Sequence, residues 1–389
     1  MPRRKSSDAS ASPQELDALE AAMRAVFDAR GYRTVELQII QDAHVFIEHL
    51  GEEMRHRMFT FAGPAGQELC LRPEQTIPAC QQWIVERGNG IGRLQYGGPV
   101  FRIPDSTSPR PYQFRQMGAE LIGEGKKKSD AELLSVTIEA VRAGGVSDFT
   151  LKIGDLEIFA DFVDALDIPA QWRRRLKRHF WRAGYFDGLI QSLSRGVTSD
   201  AQRLLAHLGT LDESEARPAF EGLMDLFGSS TQTGRTREEI VERLVEQAAD
   251  AAALKLDHRI ADQLARLLNI SAPAKDALAQ LKTLTKDAGV KLDAALGSMQ
   301  ARLDTLADLG IADDRVSFVA HFGRNMEYYS GFVFEIWSRD AEGPVQIAGG
   351  GRYDTLLESL GAEGSMPAIG CAIRSERVMG AKRATTGAP

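Results

Sequence analysis

Hydrophobic spacing divides the chain into a β-rich part, a helical part and a second β-rich part. Apolar residues recur at helical spacing after Ser12, where Pro13 and Glu15 complete a capping-box pattern, so a first helix is predicted to end before Gly31. From 34 to 123 the two-residue alternation of strands takes over, interrupted by Gly and Pro. The predicted strands are 34–40, 57–61, 68–72, 94–103 and 112–123, the last two forming a hairpin.

Helical spacing returns at 129–143 and dominates from 158 to 308, where Ala, Leu and charged residues are abundant. The later predicted elements are strands at 149–153, 316–321, 331–337 and 344–348, a helix at 352–360 and a strand-to-helix unit at 367–380. A sheet that helices interrupt and that then resumes is typical of an α+β fold. We therefore expect a disordered tail at 1–11, a core formed by 12–157 and 311–389, and a helical insertion at 158–310.

Composition narrows the class of protein. Hydrophobic residues make up 43% and charged residues 26%, as in ordinary globular domains. No run approaches the roughly 18 apolar residues of a membrane-spanning helix, so we expect no membrane contact and a cytoplasmic location. The formal charge of −7 offers no general basic surface for nucleic acid, and Lys126–Lys128 suits a solvated turn.

The cysteines and histidines indicate neither a disulfide nor a metal site. Cys70, Cys80 and Cys371 show no CxxC spacing, and the seven histidines show no metal-binding spacing. The glycine run at 349–351 lies in no phosphate-binding pattern, so backbone crowding or a tight turn is its ordinary explanation. We therefore expect no metal and no cofactor.

Three segments carry the side chains of a small zwitterion site: 72–76, the alternating face of the strand 112–123, and 324–329. Their guanidinium groups can pair with a carboxylate, their carboxylates with an ammonium, and their phenols can hydrogen-bond a polar side chain. Taken singly, each segment also suits an ordinary role, such as an ion pair, a solvated sheet face or strand tyrosines. The polar loop 104–111, with three prolines, is long enough to favour a functional role.

The order and content of these segments resemble the catalytic core of histidyl-tRNA synthetase. The similar segments are LCLRPEQT (69–76), GGPVFR (97–102), QFRQMGAE (113–120), RNMEYYSGFVFE (324–335), GGGRYDTLLESLG (349–361) and PAIGCAIRSERV (367–378). The resemblance implies the class II aminoacyl-tRNA synthetase fold, a mostly antiparallel sheet flanked by helices with a helical insertion. It also implies a dimer.

The resemblance further implies which residues hold a bound histidine. Those positions are Glu74, Thr76, Gln116, Glu120, Arg324, Tyr328 and Tyr329, and all are present. Arg102 and Arg377 match positions that meet the nucleotide, so they are candidates for binding an anion or phosphate. Asn325 and Glu327 replace a glycine and an aspartate of the family's pattern.

The positions that would handle ATP depart from the synthetase pattern. Pro104 stands where the family has a glutamate that holds adenine, and Tyr112 stands where it has a second arginine. Arg374 replaces a small residue, and its bulk is expected to obstruct a nucleotide. The segment 37–41 lacks the proline of the family's first motif, which bears on the dimer interface.

Few residues follow Arg377, so no anticodon-binding domain is expected. Such a chain resembles the regulatory subunits of ATP phosphoribosyltransferase, which are paralogues of the synthetase. This resemblance implies a non-catalytic protein that binds histidine and the short-form catalytic subunit. It would form a self-dimer within a hetero-oligomer and use no tRNA. Two alternatives stay open: a truncated synthetase-like enzyme that forms histidyl-adenylate, and a scaffold with a vestigial pocket.

Overall fold

The computed structural model describes residues 11–86, 90–104, 111–179, 213–227, 256–322 and 328–386, with isolated positions between 188 and 248. The chain divides into two compact units. The first comprises Met1–Asp161, Asn269–Lys286 and Lys291–Pro389, and the second comprises Phe162–Leu268 and Asp287–Val290. This division differs from the predicted insertion at 158–310, because most of 269–308 belongs to the first unit.

The described helices and strands follow the chain in this order. The helices are α1 (Pro13–Ala29), α2 (Ala43–Arg55), α3 (Thr76–Val85), α4 (Lys126–Ala143), α5 (Leu156–Ala165), α6 (Ala170–His179), α7 (Glu213–Phe227), α8 (His258–Leu268), α9 (Ala274–Ala288), α10 (Asp293–Asp308), α11 (Leu356–Ser359) and α12 (Ser375–Thr386). The strands are β1 (Arg33–Thr34), β2 (Ile40–Asp42), β3 (Phe59–Ala62), β4 (Glu68–Leu71), β5 (Gly92–Phe101), β6 (Gln113–Ile122), β7 (Thr150–Asp155), β8 (Ser271–Pro273), β9 (Val316–Val319), β10 (Phe332–Asp340), β11 (Gly343–Arg352) and β12 (Ala368–Arg374).

The strands of the first unit form two sheets. The larger has the order β1-β5-β6-β12-β11-β10-β7-β9-β8, and the smaller has the order β2-β4-β3. Within the larger sheet, β1 pairs with β5 and β7 with β9 in parallel, and the other neighbouring strands are antiparallel. The predicted mostly antiparallel sheet with flanking helices is therefore confirmed.

Helix α1 begins as its sequence pattern predicts. The backbone N–H of Glu15 donates to the Ser12 hydroxyl at 3.2 Å, and the Ser12 N–H donates to the Glu15 carboxylate at 2.7 Å. Pro13 takes the first helical position, where no N–H donor is needed. Gly31, just after the helix, has a φ of 76°, in the left-handed region that favours glycine.

The glycine run belongs to a strand, so the prediction that β11 ends at 348 was wrong. Gly350 pairs with Phe334 on one side and with Cys371 on the other. A Cβ atom at Gly350 would lie 2.3 Å from the Gly370 carbonyl oxygen. Any residue larger than glycine would therefore clash with β12. Backbone crowding between three adjacent strands therefore explains the run, and the helix predicted at 352–360 is reduced to α11.

Two other predictions of local structure were wrong. The strand expected at 34–40 is split, since β1 joins the larger sheet and β2 the smaller one. Lys126–Lys128 form the first turn of α4 instead of a solvated turn. Lys126 pairs with Glu157 at 2.7 Å and Lys128 pairs with Glu124 at 3.0 Å, so carboxylates compensate the cluster locally.

The second unit has its own small apolar cluster, formed by Phe220, Met224, Val241 and Ala248. Within this unit an ion pair joins α5 to α6, since the Lys177 ammonium lies 2.8 Å from the Asp164 carboxylate.

Candidate functional site

A pocket lies in the first unit where β6, β11 and β12 meet the start of α3. The space between its walls, including the open mouth, is about 550 Å³. The polar and aromatic lining residues are Glu74, Thr76, Arg102, Gln116, Tyr328, Tyr329, Gln346, Tyr353 and Arg374. Backbone and small side chains of β11 and β12 form the rest of the wall.

Glu74 combines a pocket position with a structural role at the N-terminus of α3. One carboxylate oxygen accepts from the Thr76 N–H at 2.6 Å, and the other accepts from the Ile77 N–H at 2.9 Å. These bonds satisfy amides that the first helical turn leaves unpaired. Burial raises the pKa of Glu74, although these hydrogen bonds and the nearby Arg102 oppose the shift. The helix therefore fixes the carboxylate at the wall of the pocket.

Glu120 lies beneath the lining and is fully buried. The Tyr96 hydroxyl donates to one carboxylate oxygen at 2.6 Å, and the Tyr353 hydroxyl donates to the other. Burial raises the pKa of Glu120 from 4.5 to about 7, against the opposing effect of the two tyrosine hydrogen bonds. Gly370 stands opposite Glu120 in the strand pairing, and its missing side chain leaves space for the carboxylate.

The pKa of Glu120 predicts how the stability of the protein changes with pH. Between pH 4.5 and about 7 the folded protein keeps this proton while the unfolded chain loses it, so stability falls as pH rises through this window. The shift corresponds to up to about 3 kcal/mol. We expect the difference in unfolding free energy between wild type and Glu120→Gln to change by about this amount between pH 5 and 8, measured by guanidinium denaturation.

Other buried carboxylates contribute to the pH dependence of both proteins, so the difference between them isolates Glu120. Glu363→Gln, which removes an exposed carboxylate, controls for the loss of one negative charge. A wild-type minus Glu120→Gln difference that stays constant from pH 5 to 8 would contradict the prediction.

Three tyrosines form an aromatic wall of the pocket. The Tyr328 ring centroid lies 4.9 Å from that of Tyr329 and 5.7 Å from that of Tyr353, the latter with the edge-to-face geometry that such pairs prefer. An apolar cluster from α2 and α3 packs behind Tyr328 and Tyr353. Gly351 is required here, because a Cβ atom would lie 2.6 Å from the Tyr329 ring.

Two arginines supply positive charge to the same pocket. The guanidinium carbon of Arg374 lies 4.6 Å from the centroid of the Phe114 ring, and that of Arg102 lies 5.6 Å from it. Arg102 is also held by its Nε, which donates to the Pro73 carbonyl at 2.7 Å. One aromatic ring thus positions both cations by cation–π contact.

The neighbours of the pocket residues anchor the strands from the opposite face. Arg115 donates from Nε and Nη2 to the Glu20 carboxylate at 2.9 and 2.6 Å, and the Ser375 hydroxyl donates to Glu20 at 2.6 Å. Since successive strand residues point to opposite faces, Gln116, beside Arg115 on β6, faces the pocket. Arg374, the last residue of β12, also lines it. The backbones of Gln116 and Arg374 pair directly in the sheet.

The structure brings together most of the residues that the sequence predicted for the histidine site. Glu74, Thr76, Gln116, Tyr328, Tyr329 and Arg102 line the pocket, and Glu120 lies beneath it. Arg377 does not join the described lining: its Nη1 donates to the Gln346 carbonyl at 2.7 Å. Arg324 and residues 105–110 of the predicted functional loop lie outside the described residues.

The part of the chain that the structure describes holds neither a candidate metal site nor a candidate membrane-spanning helix. No group of three or more His, Cys, Asp or Glu side chains there could hold a metal ion. No helix there has the length and apolar character needed to cross a membrane.

Comparison with known proteins decides the family. The histidyl-tRNA synthetase family model matches residues 10–217 and 218–378. The ATP phosphoribosyltransferase regulatory subunit of Brucella anthropi is 33% identical over 361 residues, 92% of this chain and 95% of that protein. That of Allorhizobium ampelinum is 34% identical over 356 residues, 90% of this chain and 94% of that protein. The chain belongs to the family of ATP phosphoribosyltransferase regulatory subunits.

Solved structures show that this chain has the synthetase fold. A Bacillus halodurans protein titled ATP phosphoribosyltransferase regulatory subunit/histidyl-tRNA synthetase has a TM-score of 0.65 at 20% identity, covering 98% of this chain and 84% of that one. Apo histidyl-tRNA synthetase from S. aureus has a TM-score of 0.53 at 17% identity, covering 99% and 70%. The class II fold predicted from the sequence is confirmed.

Sequence reasoning missed two tyrosines at the pocket and gave Arg374 a different role. Tyr96 and Tyr353 hold Glu120, and Tyr353 also lines the wall. Their positions in the sequence were the available signal: Tyr353 is the second residue after the glycine run, and Tyr96 immediately precedes the GGPVFR segment. Arg374 was predicted as an obstruction to a nucleotide, whereas its place in the lining gives it direct access to the pocket.

Proposed function

We propose that this chain is a histidine-sensing regulatory subunit that assembles with a short-form ATP phosphoribosyltransferase catalytic subunit. It activates that subunit, in the first step of histidine biosynthesis, and transmits feedback inhibition when free histidine fills the pocket. The regulatory subunits of this name that share about a third of its residues support the partnership. We further propose that the chain self-dimerises within a hetero-oligomer and carries out no aminoacylation.

The charge layout of the pocket is the observation that carries the proposal. Glu120 of β6 pairs with Gly370 of β12, and Arg374 lies four residues after Gly370. The buried carboxylate and the guanidinium are therefore separated by four residues of strand. At the rise of a strand this is about 13 Å between backbones, and the side chains reach into the space between. A zwitterion with a polar ring, such as histidine, complements this layout.

The proposed contacts follow from the chemistry of each wall. Glu74, Thr76 and Gln116 can accept hydrogen bonds from the ammonium group of the ligand. The imidazole ring can lie against the wall of Tyr328 and Tyr329, with Glu120 and Tyr353 at the end of the pocket. Arg324, which lies outside the described residues, stays a candidate for the same ligand.

The truncated-synthetase alternative requires adenylation, and the residues at the nucleotide positions argue against it. Pro104 offers no side-chain hydrogen bond to adenine. Tyr112, at the position of a second arginine, is 61% exposed and packs edge-on against Phe59 at 5.7 Å. Histidine-dependent pyrophosphate exchange by the purified chain would support this alternative against the proposal.

The proposed function is tested by reconstitution with the short catalytic subunit. Its formation of phosphoribosyl-ATP is assayed alone, with this chain, and with this chain carrying Glu120→Gln. We expect wild type and variant to activate to a similar extent. At pH 8, above the raised pKa of Glu120, histidine inhibition should weaken by roughly tenfold or more in the variant, because a charge-assisted bond at the end of the pocket becomes a neutral one.

Glu363→Gln is the control, since it removes an exposed carboxylate outside the pocket lining. No activation by the wild-type chain would overturn the regulatory proposal. Activation without histidine binding in calorimetry at millimolar ligand would leave the scaffold alternative. Unaltered histidine inhibition in Glu120→Gln would remove Glu120 from the sensing site.

A further inference from the structure

We propose that Arg374 binds the carboxylate of the amino-acid ligand and so makes the pocket selective for a free amino acid over forms with a modified carboxyl group. This inference rests on the proposed function and deepens it. It assigns to Arg374 a positive role in recognition, beyond the space that its side chain takes from a nucleotide.

The first support is the position of Arg374 in the sheet. It is the last residue of β12 and pairs with Gln116 of β6, and both side chains line the pocket. Arg102 lines the same part of the pocket, since both guanidinium groups pack on Phe114. Two cations gather at the Gln116 end of the pocket, whereas the buried Glu120 carboxylate lies opposite Gly370, four residues before Arg374 on β12, so the anionic group of a zwitterion is stabilised at the arginine end.

The second support is that Arg374 is held in place before any ligand arrives. Stacking at 4.6 Å from the centroid of the Phe114 ring restricts its side chain. The next residue, Ser375, is fixed to Glu20 at 2.6 Å, and Arg115 is fixed to the same carboxylate. The backbone N–H of Arg115 also donates to Glu376 at 2.8 Å, which joins the beginning of β6 to the start of α12. A guanidinium on such an anchored strand end loses little conformational freedom on binding.

The third support is chemical. A guanidinium can donate two parallel N–H bonds to a carboxylate, a geometry that lysine and glutamine cannot reproduce. An aminoacyl-adenylate has no free carboxylate, and an amino alcohol has only a hydroxyl in its place. The two roles of Arg374 therefore differ in outcome: a steric obstruction would not distinguish histidine from histidinol, whereas a carboxylate contact would.

The test compares histidine with histidinol, which lacks the carboxylate, by calorimetry on the full chain. We expect wild type to bind histidine roughly tenfold or more tightly than histidinol. In Arg374→Gln the affinity for histidine should fall by roughly 10- to 100-fold, and that for histidinol by less than about threefold. Arg374→Met, which keeps apolar packing on Phe114, should show the same loss of discrimination, and Arg374→Lys should be intermediate.

Arg339→Gln removes an exposed arginine of β10, outside the pocket lining, and should bind both ligands as wild type does. If wild type binds histidine, two results in Arg374→Gln and Arg374→Met would overturn the inference. One is an unchanged preference for histidine over histidinol, and the other is an equal loss of affinity for both ligands. Wild-type protein that binds neither ligand at millimolar concentration would overturn the proposed sensing function and this inference with it.

Discussion

Replacement of Asp130 by alanine is expected to lower the free energy of unfolding of the first unit by about 3–5 kcal/mol. Asp130, on α4, accepts from Arg302 at 2.9 Å through one oxygen and from Arg352 at 3.0 Å through the other. All three side chains are buried, with exposed fractions of 2%, 6% and 1%. Alanine would leave both guanidinium groups short of a partner where water cannot replace it.

Two ion pairs of this network remain in Asp130→Ala, and they limit the expected loss of stability. Arg302 keeps Asp155 at 2.6 Å, and Arg352 keeps Asp354 at 2.8 Å. Asp130→Asn retains the shape and one acceptor oxygen, so we expect it to lose less stability than Asp130→Ala. The ordering of the two variants therefore separates loss of charge from loss of the hydrogen-bonding group.

Hydrogen exchange resolves the two units better than a single denaturation midpoint, since a chain of two units need not unfold in one step. We expect faster exchange in peptides from β7, β11 and α10, and little change in peptides from α7. Asp148→Ala is the matched control, because its pair with Arg315 at 2.8 Å is exposed and should contribute at most about 1 kcal/mol. Equal effects of Asp130→Ala and Asp148→Ala would contradict the prediction.

This ion network also connects the helices after the second unit to the pocket. Arg302 lies on α10, and its guanidinium carbon lies 4.4 Å from the centroid of the Phe332 ring on β10. Arg352 directly precedes Tyr353, and the Tyr353 hydroxyl donates to Glu120. The Arg352 carbonyl accepts from the Ser330 N–H at 2.8 Å. Arg352, which these ion pairs hold, is therefore the neighbour of Tyr353 in sequence and is hydrogen-bonded to Ser330, the residue after Tyr329.

The boundary of the helical part could not be predicted from spacing, because helical spacing is the same on both sides of it. Residues 158–308 read as one helical stretch, yet α10 is packed into the first unit by Arg302. The partners of Arg302 are 172 and 147 positions away in sequence, at Asp130 and Asp155. The pattern within a short stretch of sequence does not indicate pairs that are so far apart along the chain. The capping box of α1, by contrast, depends on residues three apart and was predicted correctly.

The candidate site shows the same difference between local and distant signals. Alternation along β6 placed Gln116 and Glu120 on one face, and the structure confirms that arrangement. The partners of Glu120 come from β5 and from the residue after β11, so only the strand order brings Tyr96 and Tyr353 to it. The sequence left backbone crowding and a tight turn open for the glycine run, and its pairing with two neighbouring strands decides for crowding.

Replacement of Gly370 by alanine is expected to destabilise the first unit by roughly 3–5 kcal/mol, through overpacking and a displaced buried carboxylate. A Cβ atom at Gly370 would lie 1.7 Å from a Glu120 oxygen, far inside any allowed contact. Glu120 would have to withdraw from the Tyr353 hydroxyl that donates to it. On the proposed function, histidine binding would be lost as well.

Gly297→Ala provides a matched control for Gly370→Ala. Gly297 is exposed on α10, and nothing lies within 4 Å of a Cβ atom built there, so alanine should stabilise this helix by about 0.5–1 kcal/mol. Thermal denaturation and histidine calorimetry on both variants measure the two effects separately. Gly370→Ala combined with Glu120→Gly restores space and should recover part of the stability but no histidine binding. A Gly370→Ala protein as stable as wild type would contradict the close packing of β12 against Glu120.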